Sequence, residues 1–302
     1  MSLLEDFIED CRVRGLASGT IRSYKGTVGK YLDWLEQQNI DPITANGKEI
    51  RGFVTYLRKQ GKSPKTLENY FASISSFYEF LLYEEMVTAN PVLPVRKRYL
   101  RKYKENGARH ERKLISVEEM AMLVHSIPNK RDRAIVILLA KTGIRRDEMV
   151  QIDVDDIDWE EETLMLKPHP KRTNRRVYFD SETALILKRW LRARESMARP
   201  SEKALFVGAH GQRLERNGVY LAVTHWAERV GLHNPNGEME DKFTPHCCRH
   251  WFTTHLRRNG MDREMIKELR GDVRREAIDI YLHIDLEEMR KQYRARIPQL
   301  GV

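Results

Sequence analysis

Residues 244–255, which read TPHCCRHWFTTH, carry the most information about the fold of this chain. Pro245 predicts a helix start, because its fixed φ suits the first turn and its missing N–H has no helical partner there. His246 and Arg249 are three residues apart, so a helix presents both side chains on one face. By themselves, the two residues also fit a structural histidine beside a surface arginine.

Two other groups of residues suit chemistry at a phosphodiester. Arg145 ends the stretch TGIR at 142–145, and Tyr281 lies in IYLHI at 280–284. An arginine fork can hold two phosphate oxygens and keeps its charge. A phenol can form a covalent bond to phosphorus, and a histidine or lysine can move the protons involved. These residue types therefore fit attack by a phenol on a phosphodiester without a metal.

The order of an Arg, a His-x-x-Arg pair and a later Tyr resembles the tyrosine recombinase, or phage integrase, family. The resemblance covers nearly the whole chain and includes the aromatic and Thr-rich residues that follow Arg249. It implies a site-specific recombinase or integrase that cleaves and rejoins DNA through a 3′-phosphotyrosine intermediate. By this match Arg145, His246 and Arg249 are catalytic, Tyr281 is the nucleophile, and Glu148 supports the site from behind the arginine.

The family's catalytic lysine is matched by Lys171, which begins KRTNRRV in a predicted β-hairpin turn. Its implied role is general acid to the departing 5′-oxygen. The glycine that usually stands beside this lysine is missing, and Lys167 is a rival. Two other assignments also have a rival of the same residue type: Arg146 beside Arg145, and Tyr293 after Tyr281.

One catalytic position departs from the family pattern. Residues 269–272 read LRGD, where the family usually has Leu-Gly-His or a Trp, so Asp272 occupies the His/Trp position. A carboxylate beside a scissile phosphate repels it unless the carboxylate is paired. Arg270, Arg274 and Arg275 are candidate partners. Archaeal integrase-like sequences resemble this chain in having Arg-Gly-Asp here, which favours an archaeal or archaeal-virus type.

The positive charge of the chain is concentrated in one segment. The 302 residues carry a net charge of +9, and residues 91–114 contain nine Lys and Arg against two Glu, a local +7. Such a block favours a polyanionic partner by releasing counterions from phosphates, although a solvated linker has the same composition. The predicted DNA-binding residues are Arg96, Lys97, Arg98, Arg101, Lys102 and Lys104.

The chain is too long for one typical core and predicts two domains. Residues 1–91 show helical periodicity, and the Gly15–Tyr24 pattern is echoed at 61–70, which indicates two similar helical hairpins. A basic linker at 92–114 and a catalytic domain with a C-terminal tail at 115–302 follow. The predicted fold is mainly α with a small β-sheet: an N-terminal SAM-like helical bundle and an α+β tyrosine recombinase catalytic domain. The resemblance implies that the two domains close around DNA as a C-shaped clamp.

The C-terminal residues Leu286, Met289, Tyr293 and Ile297 recur every three or four positions. This spacing predicts an apolar helix face that needs burial, on its own domain or on a neighbour. In the family such a tail often docks on a neighbouring protomer. The resemblance also implies a partner and an assembly: a double-stranded DNA recombination site, a monomer when free and a homo-tetramer on DNA.

The three cysteines form no CxxC pair or disulfide framework, and no signal-peptide or membrane-spanning pattern is present, so we expect a cytoplasmic protein. His246, Cys247 and Cys248 lack a fourth ligand at zinc spacing, and the family mechanism implies no cofactor and no metal. Two rival functions stay open: a type IB topoisomerase or resolvase-like strand transferase, and a non-catalytic architectural DNA-binding protein.

Overall fold

The computed structural model describes residues 2–100, 113–168, 172–272 and 285–302. The chain divides into two compact units, residues 1–107 and 108–302. Several predicted functional residues lie outside the described residues, namely Arg101, Lys102, Lys104, Lys171 and Tyr281.

Within residues 2–100, the first unit is a bundle of five helices. They are α1 Leu3–Val13, α2 Ser18–Gln37, α3 Gly47–Lys59, α4 Pro64–Tyr83 and α5 Val92–Tyr99. Ser2 and Asn46 close capping boxes at the starts of α1 and α3, and Ser63 caps α4. Gly15 and Gly61 follow α1 and α3 with φ of 69° at both, a backbone conformation that glycine adopts without strain.

The predicted helical repeat corresponds to the pairs α1–α2 and α3–α4. Both second helices are 20 residues long. Aromatic side chains fill the core between the pairs. Phe53 of α3 packs on Tyr31 of α2 and on Phe71 of α4, and the hydroxyls of Tyr31 and Tyr78 are 2.8 Å apart.

The basic segment begins differently from the prediction. We expected a linker from residue 92, but α5 forms there and belongs to the first unit. Val92 and Val95 are buried in its core, and the Asn90 side chain accepts a 3.0 Å hydrogen bond from the Val92 N–H. This short apolar face is difficult to predict from the sequence because charged residues dominate the segment. Lys97 and Arg98 remain exposed in the last turn of α5.

The second unit surrounds a buried helix. Its helices are α6 Val117–Ser126, α7 Lys130–Thr142, α8 Arg146–Met149, α9 Ser181–Arg194, α10 Arg216–Arg229, α11 Pro245–Arg258, α12 Arg263–Arg270 and α13 Leu286–Arg296. Every residue from 134 to 142 of α7 is buried, and α7 packs against α6, α9, α10 and α11. A capping box of Ser116 and Glu119 opens α6.

A three-stranded antiparallel sheet lies in this unit. The strands β1 Ile157–Asp158, β2 Thr163–Met165 and β3 Arg176–Tyr178 are hydrogen-bonded in chain order. Leu164 of β2 pairs with Ile157 on one side and Val177 on the other. The hairpin of β2 and β3 is the predicted one, whereas the two-residue strand β1 is too short to show a period in the sequence.

The C-terminal stripe is buried within its own chain, the first of the two alternatives. Met289, Tyr293 and Ile297 pack with Phe252 of α11 in a second apolar cluster. Leu286 is the exception and stays exposed. The final residues are bound as well, because the Glu182 carboxylate accepts hydrogen bonds from the backbone N–H groups of the last three residues.

Candidate active site

Arg145 stands at the start of α8, immediately after the turn that ends α7. Gly143 makes this turn with φ of 61°, and a Cβ on it would collide with the Phe252 ring. The Arg145 N–H donates to Glu148 Oε2 at 2.6 Å, and its Nη1 donates to Oε1 at 3.0 Å. The Glu148 carboxylate therefore fixes both the backbone and the guanidinium of Arg145.

Arg172 holds the same carboxylate from the other side. Its Nη1 lies 3.2 Å from Glu148 Oε2, and both side chains are almost completely buried. It also donates to the carbonyls of Leu269 at 2.7 Å and Arg270 at 2.9 Å. Burial lowers the pKa of Arg172 from its ordinary value. Sequence reasoning missed this role, since Arg172 is one of several basic residues in a polar run.

Arg249 projects from α11 into the same cluster. Thr244 and Pro245 stand at the helix start. The Arg249 Nη1 donates to Gly143 O at 2.6 Å, and Nη2 donates to Arg270 O at 3.0 Å. Burial, with the nearby cations, lowers the pKa of Arg249 to about 9. A buried guanidinium so close to other cations favours an anion beside it.

Asp272 is that anion in this structure. Its Oδ1 accepts from Arg249 Nη2 at 2.8 Å and from Arg145 Nη2 at 3.4 Å. Arg270 Nε lies 3.2 Å from Oδ2, so Arg270 is one of the three partners considered from the sequence. Among the described residues, four guanidiniums meet two carboxylates in this cluster, an excess of two positive charges.

His246 lies one helical turn before Arg249. Its side chain is exposed, and its ring centroid is 6.1 Å from that of His250. An exposed imidazole can exchange protons with solvent or with a bound substrate.

The three rivals have other partners. Arg146 lies over the Tyr220 ring at 5.9 Å from its centroid. Lys167 is paired with Asp156 at 2.8 Å and Asp153 at 3.0 Å, which raises its pKa. Tyr293 is fully buried and donates to Lys141 O at 2.9 Å. Burial raises the pKa of Tyr293 well above its ordinary value, which disfavours the phenolate.

The cysteines and acids of the described ranges form no metal cluster. Cys11, Cys247 and Cys248 are buried thiols. In residues 2–100, 113–168, 172–272 and 285–302, no group of three or more His, Cys, Asp or Glu side chains is placed to hold a metal ion. In those same ranges, no helix is both long and apolar enough to cross a bilayer.

Comparison with known proteins gives the same family for both units. Residues 113–288 match the phage integrase family, and residues 3–88 match the phage integrase N-terminal SAM-like domain. The tyrosine recombinase XerD of Listeria monocytogenes is 28% identical over 97% of this chain and 99% of its own length. That of Oceanobacillus iheyensis is 30% identical over 98% of each.

A solved structure supports the fold. The crystal structure of a lambda integrase dimer bound to a COC′ core site has a TM-score of 0.68, with 14% identity, 94% coverage of this chain and 98% of that chain. The two family matches span nearly the whole sequence, and the XerD relatives align over their full length. The chain belongs to the phage integrase family and is a site-specific tyrosine recombinase.

Proposed function

We propose that the protein cleaves and rejoins double-stranded DNA at a specific site, with Arg145 and Arg249 holding the scissile phosphate and Tyr281 attacking it. One observation carries the proposal. The guanidiniums of Arg145 and Arg249, from different helices, converge on a single carboxylate oxygen at 3.4 and 2.8 Å. Two donors that meet on one carboxylate oxygen are equally suited to the oxygens of a phosphate.

The chemical step is a transesterification. The Tyr281 oxygen forms a bond to phosphorus, and the bond from phosphorus to the 5′-oxygen breaks. His246 takes the phenol proton, and Lys171 gives a proton to the departing 5′-oxygen. The strand end then stays on the protein as a 3′-phosphotyrosine. Attack by a partner strand's 5′-hydroxyl runs the same step in reverse and frees Tyr281.

The arginines of this site are positioned before substrate arrives. Glu148 fixes Arg145, and Arg172 fixes Glu148. Gly143 O and Arg270 O orient Arg249. Charge that builds on the phosphate oxygens thus meets arginines whose positions are already fixed, and such preorganisation usually supplies the largest part of catalysis.

The substrate is a duplex recombination site, bound by a homo-tetramer that assembles from monomers. The bundle of α1 to α5 binds DNA, the basic segment extends from α5 to residue 114, and residues 115–302 form the catalytic domain. The lambda integrase of similar fold is a dimer on a core site, which supports assembly on DNA. Arg96, Lys97, Arg98, Arg101, Lys102 and Lys104 contact the phosphate backbone. A recombinase of this kind works in the cytoplasm.

The nucleophile is tested with a nicked suicide substrate, which traps the covalent intermediate because the cleaved end diffuses away. We expect the unmodified protein to yield a protein–DNA adduct. Tyr281→Phe should bind the same DNA and give no adduct, because the attacking oxygen is removed. The measurement is the fraction of labelled DNA that remains bound after denaturation.

Tyr293→Phe is the matched control, since it removes one phenol oxygen from the rival tyrosine. It loses the hydrogen bond to Lys141 O but should keep the adduct. An adduct from Tyr281→Phe at the unmodified level would eliminate Tyr281. Loss of the adduct in Tyr293→Phe, with folding intact, would transfer the role to Tyr293.

A further inference from the structure

Asp272 uses the hydrogen-bond donors that a scissile phosphate requires. We infer that, in the DNA-free protein, the Asp272 carboxylate occupies the position of the scissile phosphate, and that DNA must displace it before cleavage. The inference rests on the proposed function, because it takes Arg145 and Arg249 as the phosphate ligands.

The hydrogen bonds of the two arginines indicate that a phosphate displaces the Asp272 carboxylate and does not share the donors with it. Arg249 Nη2 has two hydrogens, and they go to Arg270 O and to Asp272 Oδ1. Arg145 directs Nη1 at Glu148 and Nη2 at Asp272. One N–H from each guanidinium thus ends on the same carboxylate oxygen. A phosphate oxygen can take this position between the two arginines only when that carboxylate oxygen leaves.

Exposure and geometry agree with a displaceable anion. The Asp272 side chain is 30% exposed, whereas that of Arg249 is 4% exposed, so the carboxylate can turn away more easily than the guanidinium. Arg270 Nε is buried without a hydrogen-bond partner among the described residues, although Oδ2 lies 3.2 Å away at ion-pair distance. This donor is a further group for an incoming phosphate oxygen. The carboxylate therefore occupies the arginine cluster but leaves the Arg270 Nε–H without a hydrogen bond to any described residue.

Competition by Asp272 has a consequence for specificity. A free phosphate ion must displace a carboxylate that is part of the protein and therefore always stays close to the arginines. A duplex whose phosphate backbone makes many other contacts with the protein can supply the free energy of this displacement, whereas an isolated anion cannot. When Asp272 leaves, the excess positive charge of the cluster rises by one, which suits the extra negative charge of a five-coordinate phosphorus.

The test is a titration of the full chain with inorganic phosphate, followed by ³¹P NMR at constant ionic strength and neutral pH. Asp272→Asn keeps the size of the side chain and removes its charge, and Asp272→Ala removes both. We expect both variants to bind phosphate at least about tenfold more tightly, because a like charge at contact distance has been removed. Glu240→Gln, the same charge change at an exposed position, should leave the affinity unchanged.

The tighter binding must arise at the arginine cluster. In the double variant Asp272→Asn/Arg249→Gln the gain should vanish, and a gain that persists there would overturn the inference. Unchanged or weaker phosphate binding by either folded Asp272 variant would also overturn it, since a permanent ligand of the arginines predicts that result. Absence of a covalent DNA adduct in the unmodified protein would instead defeat the proposed function, while the phosphate titration still reports on Asp272.

Discussion

At the scale of single residues, Gly271 determines where Arg172 can lie. Gly271 ends α12 with φ of 61°, and a Cβ on it would collide with Arg172 Cγ. Because Arg172 in turn fixes Glu148 and Glu148 fixes Arg145, the absence of a side chain at residue 271 affects the position of Arg145, a proposed phosphate ligand.

Gly271→Ala should therefore impair catalysis as well as stability. The left-handed backbone costs a non-glycine residue about 1–2 kcal/mol, and the new methyl group displaces Arg172. We expect the rate of adduct formation to fall by more than about tenfold, since a misplacement of about 1 Å can cost far more than that. The rate is measured on the suicide substrate.

Gly231→Ala is the matched control for that substitution. Gly231 has φ of 74°, and a Cβ added to it would meet no described atom within 4 Å, so it shares the backbone strain without the collision. The two variants should lose similar stability in urea unfolding, and only Gly271→Ala should lose activity. Equal rates in the two variants would show that Arg172 does not act through its position.

At the same scale, the sequence predicts the proposed phosphate ligands better than the residues that orient them. Arg145, His246 and Arg249 follow from residue type and spacing, and the cluster of Arg145 and Arg249 agrees with their predicted placement together. Arg172 was missed because its burial depends on the C-terminal carbonyls of α12, far along the chain. The residues that neighbour Arg172 in the sequence do not indicate such a contact.

At the scale of elements, a buried group of charges holds the C-terminal end of the chain against α7 and α9. Lys141 Nζ, fully buried, contacts Asp180 at 2.6 Å, Glu182 at 2.7 Å and Pro298 O at 2.6 Å. Glu182 then accepts the N–H of Leu300 at 2.8 Å. The periodicity of α13 predicted a face that needs burial, but period alone cannot say which surface covers it.

The contacts of Glu182 with Lys141 and the Leu300 N–H should make the stability of the fold sensitive to acid. Burial acts to raise the pKa of Glu182, but Lys141 and the Leu300 N–H outweigh it and leave the pKa below its ordinary value of 4.5. A depressed folded-state pKa stabilises the fold above the unfolded pKa, and this contribution is lost as pH falls through the folded value. The melting temperature should therefore fall below about pH 4.5.

Glu182→Gln should lower the melting temperature at pH 7 and flatten its fall in acid. Glu195→Gln, at an exposed position beside the end of α9, is the control and should retain the unmodified profile. Parallel pH profiles for Glu182→Gln and the unmodified protein would show that Glu182 is not the group whose protonation matters.

At the scale of the whole molecule, the organisation into two helical units could be predicted because it rests on periodicity and capping. The boundary could not, because α5 looks like part of a charged linker. Val92 and Val95 bury one side of it while Lys97 and Arg98 stay exposed. A block of positive charge thus starts on a structured helix, which gives its first residues a fixed place on the first unit.

The basic segment should supply DNA affinity that depends steeply on salt. Each phosphate contact releases counterions and contributes about 0.9 to the slope of log K against log salt concentration. A triple substitution to alanine should therefore weaken binding and reduce the slope by up to about three units. The residues replaced are Arg98, Arg101 and Lys102, and the measurement is binding of a duplex site from about 50 to 200 mM salt.

A second triple substitution separates contact from net charge. Lys188, Arg189 and Arg192 are exposed on α9, and replacing them with alanine changes the net charge by the same amount. If the basic segment touches the phosphate backbone, the slope should fall for the first set and stay near the unmodified value for the second. Equal changes in both variants would mean that the overall positive field of the protein, rather than the segment between its two units, attracts DNA.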